Sequence, residues 1–277
     1  MRAADSFVND YIATEWQRTF ELNGLRSFDD LWNLDAQWFE EPNRRRGGWS
    51  GVARCELARP DGSVARVFLK RQENHITRTL AHPIRGVPTF VREFNSIMRY
   101  RRCGIPTLTP VYFGVRRNAQ DQRAVLMTEE LTGFRSLEDF AREWTTLWPS
   151  MRREIVEGVA QLLRKIHSHH LSHNCFYPKH VFLRFGAGRL VETRVIDLEK
   201  TKWRPFGYDR NFRDVRRLNG PGLPWSRAER VRFFRAYLGV ENMTPRAKQD
   251  WRRIAKRHLK KHPAEAALWT PAGQAAS

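Results

Sequence analysis

The stretch from Arg164 to Lys200, RKIHSHHLSHNCFYPKHVFLRFGAGRLVETRVIDLEK, constrains this chain more than any other. Before it, Ile155, Val159, Leu162, Leu163 and Ile166 recur at helical spacing. That run feeds a polar loop holding His167, His169, His170, His173 and His180. Two β-rich runs then bracket a Gly-containing turn, and the second ends in Val195-Ile196-Asp197-Leu198. A single acid delivered at the end of a buried strand commonly holds a metal ion or orients a reacting group. A polar loop, a hairpin and then that acid form the layout of a phosphoryl-transfer site.

Upstream, VARVFLKR (64–71) predicts a strand, with Lys70 directly after Val67-Phe68-Leu69. VREFNSIMRYRRCGIP predicts a helix with Phe94, Ile97 and Met98 on its apolar face, ended by Gly104 and Pro106. Glu93 lies in that helix. A strand lysine and a helix glutamate at this separation suggest the ion pair that positions nucleotide phosphates in kinase-like folds. Gly47, Gly48 and Gly51 follow a basic run, and a Gly-rich turn between strands lets backbone N–H groups approach phosphates, although most such turns only turn. Pro60-Asp61-Gly62 is a turn signal. Residues 75–89, rich in His, Arg, Pro and Gly, are expected to be a loop insertion facing substrate. Residues 107–114 and 124–130 predict two strands, the second running into Thr132-Gly133 as a hinge.

The expected fold class is therefore α+β and two-lobed. Residues 1–42 would lie on a lobe through Trp16, Phe20, Trp32, Trp38 and Phe39, with Ser27 capping a helix over 28–34. Residues 43–132 would form a small antiparallel β-rich N-lobe, and 133–277 a mainly helical C-lobe. In the latter, Ser136 is expected to cap a helix reaching about Trp144, and Ser150 to start the next. Residues 200–226 read as irregular around a short helix at 213–218 (RDVRRL). Two basic helices over 226–262 should split at Thr244-Pro245, and the tail from Pro271 should be disordered. Trp251, Ile254, Ala255 and Leu259 make a narrow apolar stripe under a dense cationic face. That face suits an anionic membrane surface or a polyanion, or simply solvent.

Lys and Arg total 49 against 30 Asp and Glu, a net charge of +19. Such a balance favours partners bearing phosphate: nucleic acid, anionic lipid or phosphorylated sugars. The three cysteines have no metal-ligand spacing and fit a reduced, cytoplasmic setting. The first residues carry acids and lack the apolar core of a signal peptide, and no window approaches the run of about 20 apolar residues that spans a bilayer. Membrane contact would be peripheral, at the inner membrane surface.

Six stretches taken together resemble the lipopolysaccharide kinase family, which phosphorylates heptose or Kdo sugars of the lipid A core, in its InaA-like branch. They are FLKRQ (68–72), GVPTFVREF (86–94), GIPTLTPVYFG (104–114), HNCFYPKHVFL (173–183), VIDLEK (195–200) and RDVRRL (213–218). The resemblance covers roughly 47–218 and implies a protein-kinase-like fold, with ATP and Mg²⁺ as cofactors and an anionic glycolipid or phosphorylated sugar as acceptor. By it, Lys70 would hold nucleotide phosphates with Glu93 as its pair, under the turn of Gly47, Gly48 and Gly51. Asp197 and His180 would hold Mg²⁺, and Asp214 would brace the catalytic loop from below.

One departure matters. The family's active members place an Asp two residues after the histidine matching His173, and here that position is Cys175. A thiol of unperturbed pKa about 8.5 is a poor base near neutrality. His173 and His170 are the candidates to assist. Two enzyme-side readings follow: an ATP-dependent sugar kinase at the cytoplasmic membrane face, with His173, Cys175 and Asp197 as catalytic residues, or a nucleotide-binding pseudokinase acting as scaffold or stress sensor. A nucleic-acid binder and a zinc site built from the histidines with Cys175 are further readings, but the chain has no recognised nucleic-acid module and the adjacent His169 and His170 do not match structural zinc spacing.

Overall fold

A computed structural model of the chain describes residues 10–45, 47–79, 82–118, 121–204, 212–220 and 222–269. The expectations for the first nine residues, for 205–211 and for the tail from Pro271 fall outside these. The chain divides into two compact units, one built from residues up to 99 and 108–132, the other from 100–107 and 133 onward.

The first unit runs β1 (Tyr11–Ile12), α1 (Gln17–Leu22), α2 (Phe28–Asn33), β2 (Trp38–Arg45), β3 (Gly48–Ala58), β4 (Val64–Glu73), β5 (Ile76–Thr79), β6 (His82–Pro88), α3 (Thr89–Arg102), β7 (Pro110–Arg117) and β8 (Gln122–Glu129). Six strands form one antiparallel sheet in the order β1-β7-β8-β4-β3-β2. The pleat divides β4 cleanly. Ala65, Val67 and Leu69 are buried in the core with Trp16, Phe20, Phe28 and Leu31 of the N-terminal helices. Arg71 lies on that face too, because its guanidinium donates to the Trp32 and Leu34 carbonyls at the end of α2 and stacks 4.7 Å from the Trp38 ring. Lys70 and Gln72 point to the opposite face. Ser27 caps α2 as expected, accepting from the Asp30 N–H. Phe39 departs from its expected anchoring role: it is 62% exposed and meets only the edge of Phe68 among ring contacts of the described residues.

Residues 75–89 form a hairpin rather than a loop: β5 and β6 pair with each other and, among the described residues, with no other strand, with Gly86 at φ 64°. Proline is tolerated there because Pro88 ends the strand and the hairpin has no further neighbour demanding N–H donors. At the sheet edge, Asp10 accepts two hydrogen bonds from Arg116 at 2.8 and 2.9 Å and one from the Tyr112 hydroxyl at 2.5 Å. This clasp fastens β1 to β7.

The second unit runs β9 (Arg135–Ser136), α4 (Leu137–Arg142), α5 (Pro149–Ser168), β10 (Leu171–Ser172), β11 (Val181–Gly186), β12 (Arg189–Val195), β13 (Lys202–Trp203), α6 (Arg213–Leu218), α7 (Arg227–Leu238), α8 (Pro245–Leu259) and α9 (Ala266–Trp269). Ser136 and Asp139 form a reciprocal capping box at the start of α4. α5 begins at Pro149 rather than Ser150, since proline at the first helical position sacrifices an N–H that would be unbonded anyway. Its apolar stripe is buried throughout. β11 and β12 form the expected hairpin, with β9 added outside β11. Thr244 caps α8, whose Ala247, Ile254, Ala255 and His258 point inward. Among the described residues no helix is long and apolar enough to cross a membrane.

Candidate functional site

The charged residues singled out above occur in two groups, one in each unit. In the first, Lys70 Nζ lies 2.6 Å from Glu93 Oε1, with side-chain exposures of 19% and 5%. A charge-assisted contact this short in a mostly buried setting is a fixed ion pair rather than two surface charges. The α3 helix that carries Glu93 is oriented by aromatic packing: Phe94 stacks on Phe113 at 4.3 Å and meets Tyr11 at 5.1 Å.

Gly47 takes φ 81° at the turn between β2 and β3. A side chain on Gly48 would run into the backbone of Glu73 and Asn74, and one on Gly51 into the Trp38 ring. The three glycines thus have separate local reasons: a left-handed turn, a close backbone approach and a ring contact. Beside the turn, Arg44, Arg45, Gly47, Gly48, Trp49, Glu73 and Asn74 line an open pocket of about 460 Å³.

The second group is organised by Asp214 of α6, which is fully buried. Its Oδ2 accepts from the His173 backbone N–H at 2.8 Å and its Oδ1 from that of Asn174 at 2.8 Å. His167 of α5 approaches Oδ2 at 3.2 Å while its other ring nitrogen meets the Tyr237 hydroxyl at 2.8 Å. Burial alone would raise the Asp214 pKa. The hydrogen bonds from His167 and from the Asn174 backbone N–H outweigh it and hold the carboxyl below the ordinary carboxylate range. Asp214 therefore clamps the loop from β10 onward.

His173 has both ring nitrogens committed. Nδ1 accepts from the Cys175 N–H at 3.1 Å, and Nε2 donates to the Ile196 carbonyl at 3.0 Å. Burial depresses its pKa to about 4, so it stays neutral. It joins the loop to the end of the β11–β12 hairpin. His170 lies exposed at φ 56° and, among the described residues, makes no side-chain hydrogen bond. Cys175 is 3% exposed, and burial, with the Asp197 charge, pushes its thiol up. Arg217 lies 3.8 Å from its sulfur, a contact that the RDVRRL stretch hints at only in retrospect: Arg217 follows Asp214 by one helical turn.

His180 and Asp197 do come together. His180 Nδ1 donates to the Cys175 carbonyl at 2.8 Å and lies 3.4 Å from Asp197 Oδ2. A carbonyl can only accept, so the proton is on Nδ1 and the Nε2 lone pair is available. Burial lowers the His180 pKa, which keeps that lone pair open. Asp197 stands just beyond β12 in the left-handed region, φ 60° and ψ 60°. The strand end is secured by the Thr107 hydroxyl donating to the Val195 carbonyl at 2.7 Å and by Ile196 N–H donating to the His180 carbonyl at 3.0 Å. Among the described residues no group of three or more His, Cys, Asp or Glu is placed to hold a metal ion, and His167 and His173 are spent in the clamp.

A family model described as the lipopolysaccharide kinase (Kdo/WaaP) family matches residues 29–237. The chain belongs to that family. It is 32% identical over 210 residues to the lipopolysaccharide core heptose(I) kinase WaaP of Escherichia coli, covering 71% of this chain and 72% of that protein. It is 30% identical over 179 residues to protein InaA of Escherichia coli strain K12, covering 64% of this chain and 79% of that protein. A solved structure, WaaP in complex with acyl carrier protein, superimposes with a TM-score of 0.66 at 22% identity, over 95% of this chain and all of that one. This likeness bears on the fold: an α+β, protein-kinase-like arrangement of an antiparallel unit and a mainly helical one. Membership in the lipopolysaccharide kinase family makes a kinase-like role the frame for the two residue groups.

Proposed function

We propose that the protein binds Mg-ATP and phosphorylates a sugar hydroxyl of the lipid A core, of heptose or Kdo type, at the cytoplasmic face of the inner membrane. The Lys70–Glu93 ion pair carries this reading. A lysine held at 2.6 Å by a nearly buried glutamate is poised to meet nucleotide phosphates, the assignment that family membership implies. The turn at Gly47, between β2 and β3, is where backbone N–H groups would meet the same phosphates. Asp197 fits Mg²⁺, which is held through one or two carboxylates and fills its remaining positions with phosphate oxygens and water; the family resemblance adds His180, whose Nδ1 lies 3.4 Å from Asp197 Oδ2. The ion would neutralise charge on the transferring group. His173 and Asp214 keep the loop in place for the acceptor, and neither moves a proton at neutral pH.

A second reading is favoured by Cys175. A buried thiol with a raised pKa is no base at the position where active relatives carry a carboxylate. The corresponding function is a nucleotide-binding pseudokinase serving as scaffold or stress sensor. Both readings require nucleotide. Millimolar Mg-ATP is expected to raise the melting temperature by several degrees, by mass action on the folded state. Lys70→Ala and Asp197→Asn should each remove the shift. A wild-type protein that shows no shift ends both readings.

Location at a membrane rests on α8. Its exposed positions include Arg246, Lys248, Arg252, Arg253, Lys256 and Arg257, while the acid Asp250 is half-buried and lies 3.5 Å from Arg253. Each such cation near an anionic bilayer is worth about 1 kcal/mol. The protein should therefore cosediment with vesicles rich in anionic phospholipid and not with purely zwitterionic ones. Arg252→Glu with Lys256→Glu should weaken that binding about 100-fold or more. Acyl carrier protein, bound by the WaaP of the solved structure, is a further candidate partner.

A further inference from the structure

The start of α3 is held from another element. The helix begins at Thr89, directly after Pro88. A proline in that place has no side-chain oxygen, so the first N–H groups of α3 lack the usual local acceptor. Gln72, in the centre of the sheet on β4 and 0% exposed, supplies one. Its Oε1 accepts from the Phe90 N–H at 3.1 Å and from the Thr89 hydroxyl at 2.9 Å. Its Nε2 donates to the His75 carbonyl at 2.8 Å, the oxygen that also accepts from the Thr89 N–H at 3.2 Å.

Two residues earlier on the same face of β4, Lys70 reaches Glu93. Glu93 lies three residues beyond Phe90, one helical turn along α3. Strand and helix are therefore joined twice, one turn apart: by a neutral hydrogen-bonded link at the helix start and by an ion pair above it. Phe94 packs α3 against Phe113 and Tyr11 beside Glu93, and the Gln72 link fixes the start of the helix, one turn before the ion pair.

We propose that Gln72 is a positioning residue for nucleotide binding: by capping α3 from β4 it holds Glu93 against Lys70 and so keeps the lysine ready for the phosphates of a nucleoside triphosphate. The proposal rests on the reading of Lys70–Glu93 as the phosphate-holding pair. Without the link the first turn of α3 loses its anchor on β4, and the share of molecules in which Glu93 meets Lys70 falls. If the aligned population falls to about a tenth, apparent affinity for nucleotide falls about ten-fold.

The test is a double-mutant cycle on Mg-ATP affinity, measured by calorimetry, with Gln72→Leu, Glu93→Gln and the pair. Gln72→Leu should weaken binding about ten-fold in the wild-type background and less than about two-fold when Glu93→Gln is already present. A merely structural cap would weaken binding equally in both backgrounds, and that result, or no loss in the wild-type background, overturns the proposal. If Gln72→Leu does not fold, Gln72→Asn, whose shorter chain withdraws the oxygen, takes its place in the cycle. Lys70→Ala and Glu93→Gln both leaving affinity unchanged would instead remove the underlying pair from nucleotide binding, and the positioning role with it.

Discussion

Cys175→Asp is expected to raise phosphate transfer to core oligosaccharide by about 10²–10⁴-fold, the range that a positioned general base contributes. By the family resemblance, the substitution restores the carboxylate expected two residues after His173. The surroundings can receive it. The Cys175 backbone is fixed by its N–H bond to His173 and by its carbonyl bond from His180. Arg217, 3.8 Å from the sulfur, and the charge of Lys200 offset the repulsion from Asp197. Phosphoryl transfer depends mainly on positioning and charge neutralisation, so the unsubstituted protein retains whatever rate those supply. Activity in Cys175→Asp where the natural protein has none identifies a pseudokinase. A measurable natural rate that survives Cys175→Ala shows that the thiol is not the base. A fall in a natural rate on Cys175→Asp would show that the position no longer serves the acceptor hydroxyl.

Asp214→Asn is expected to destabilise the second unit by about 3–5 kcal/mol, the cost of breaking a buried charge network from one side. The carboxylate accepts from two backbone N–H groups and from His167. The near-isosteric amide has one accepting oxygen, and its NH₂ group must face a backbone donor. With the amide oxygen at the Oδ2 position, the Asn174 N–H is left without an acceptor and faces the NH₂ group. Thermal unfolding should fall by about 10 °C. The carboxyl is held below its ordinary value of 3.8, so the unfolded chain takes up that proton first as acid is added. Its contribution is complete above about 3.8 and drains away as pH falls from there through the lower folded value. The gap in melting temperature between wild type and Asp214→Asn should therefore narrow below about pH 4. A gap that stays constant to pH 2.5 would show that the carboxylate charge is not what holds the loop.

Local chemistry was the part of this fold that the sequence displayed. The stripe of α5, the caps at Ser27 and Ser136, the break at Thr244-Pro245 and the β11–β12 hairpin each follow from residues within a few positions of one another. The Lys70–Glu93 pair was readable because strand and helix patterns flanked it. What escaped were contacts whose partners lie far along the chain. Nothing near Asp10 announces Arg116 and Tyr112, and nothing near His167 announces Asp214 and Tyr237. His167 looked like one more member of a histidine-rich loop, yet the helix turns it inward. The β5–β6 hairpin was hidden by composition: Pro and Gly suppress strand signals, but a two-stranded hairpin places few demands on backbone donors. Cys175 was legible as a missing carboxylate, while its burial beside Arg217 was not.

The left-handed backbone at Asp197 bears on how the metal-binding assignment can be probed. For most side chains that conformation costs about 1–2 kcal/mol, and aspartate and asparagine are the usual exceptions to glycine. An alanine scan across the end of β12 would thus report two losses at once, a charge and a tolerated torsion. Asparagine changes only the first. The same torsion narrows the amino acids able to occupy the position, so sequence drift there is confined to a short menu irrespective of catalysis.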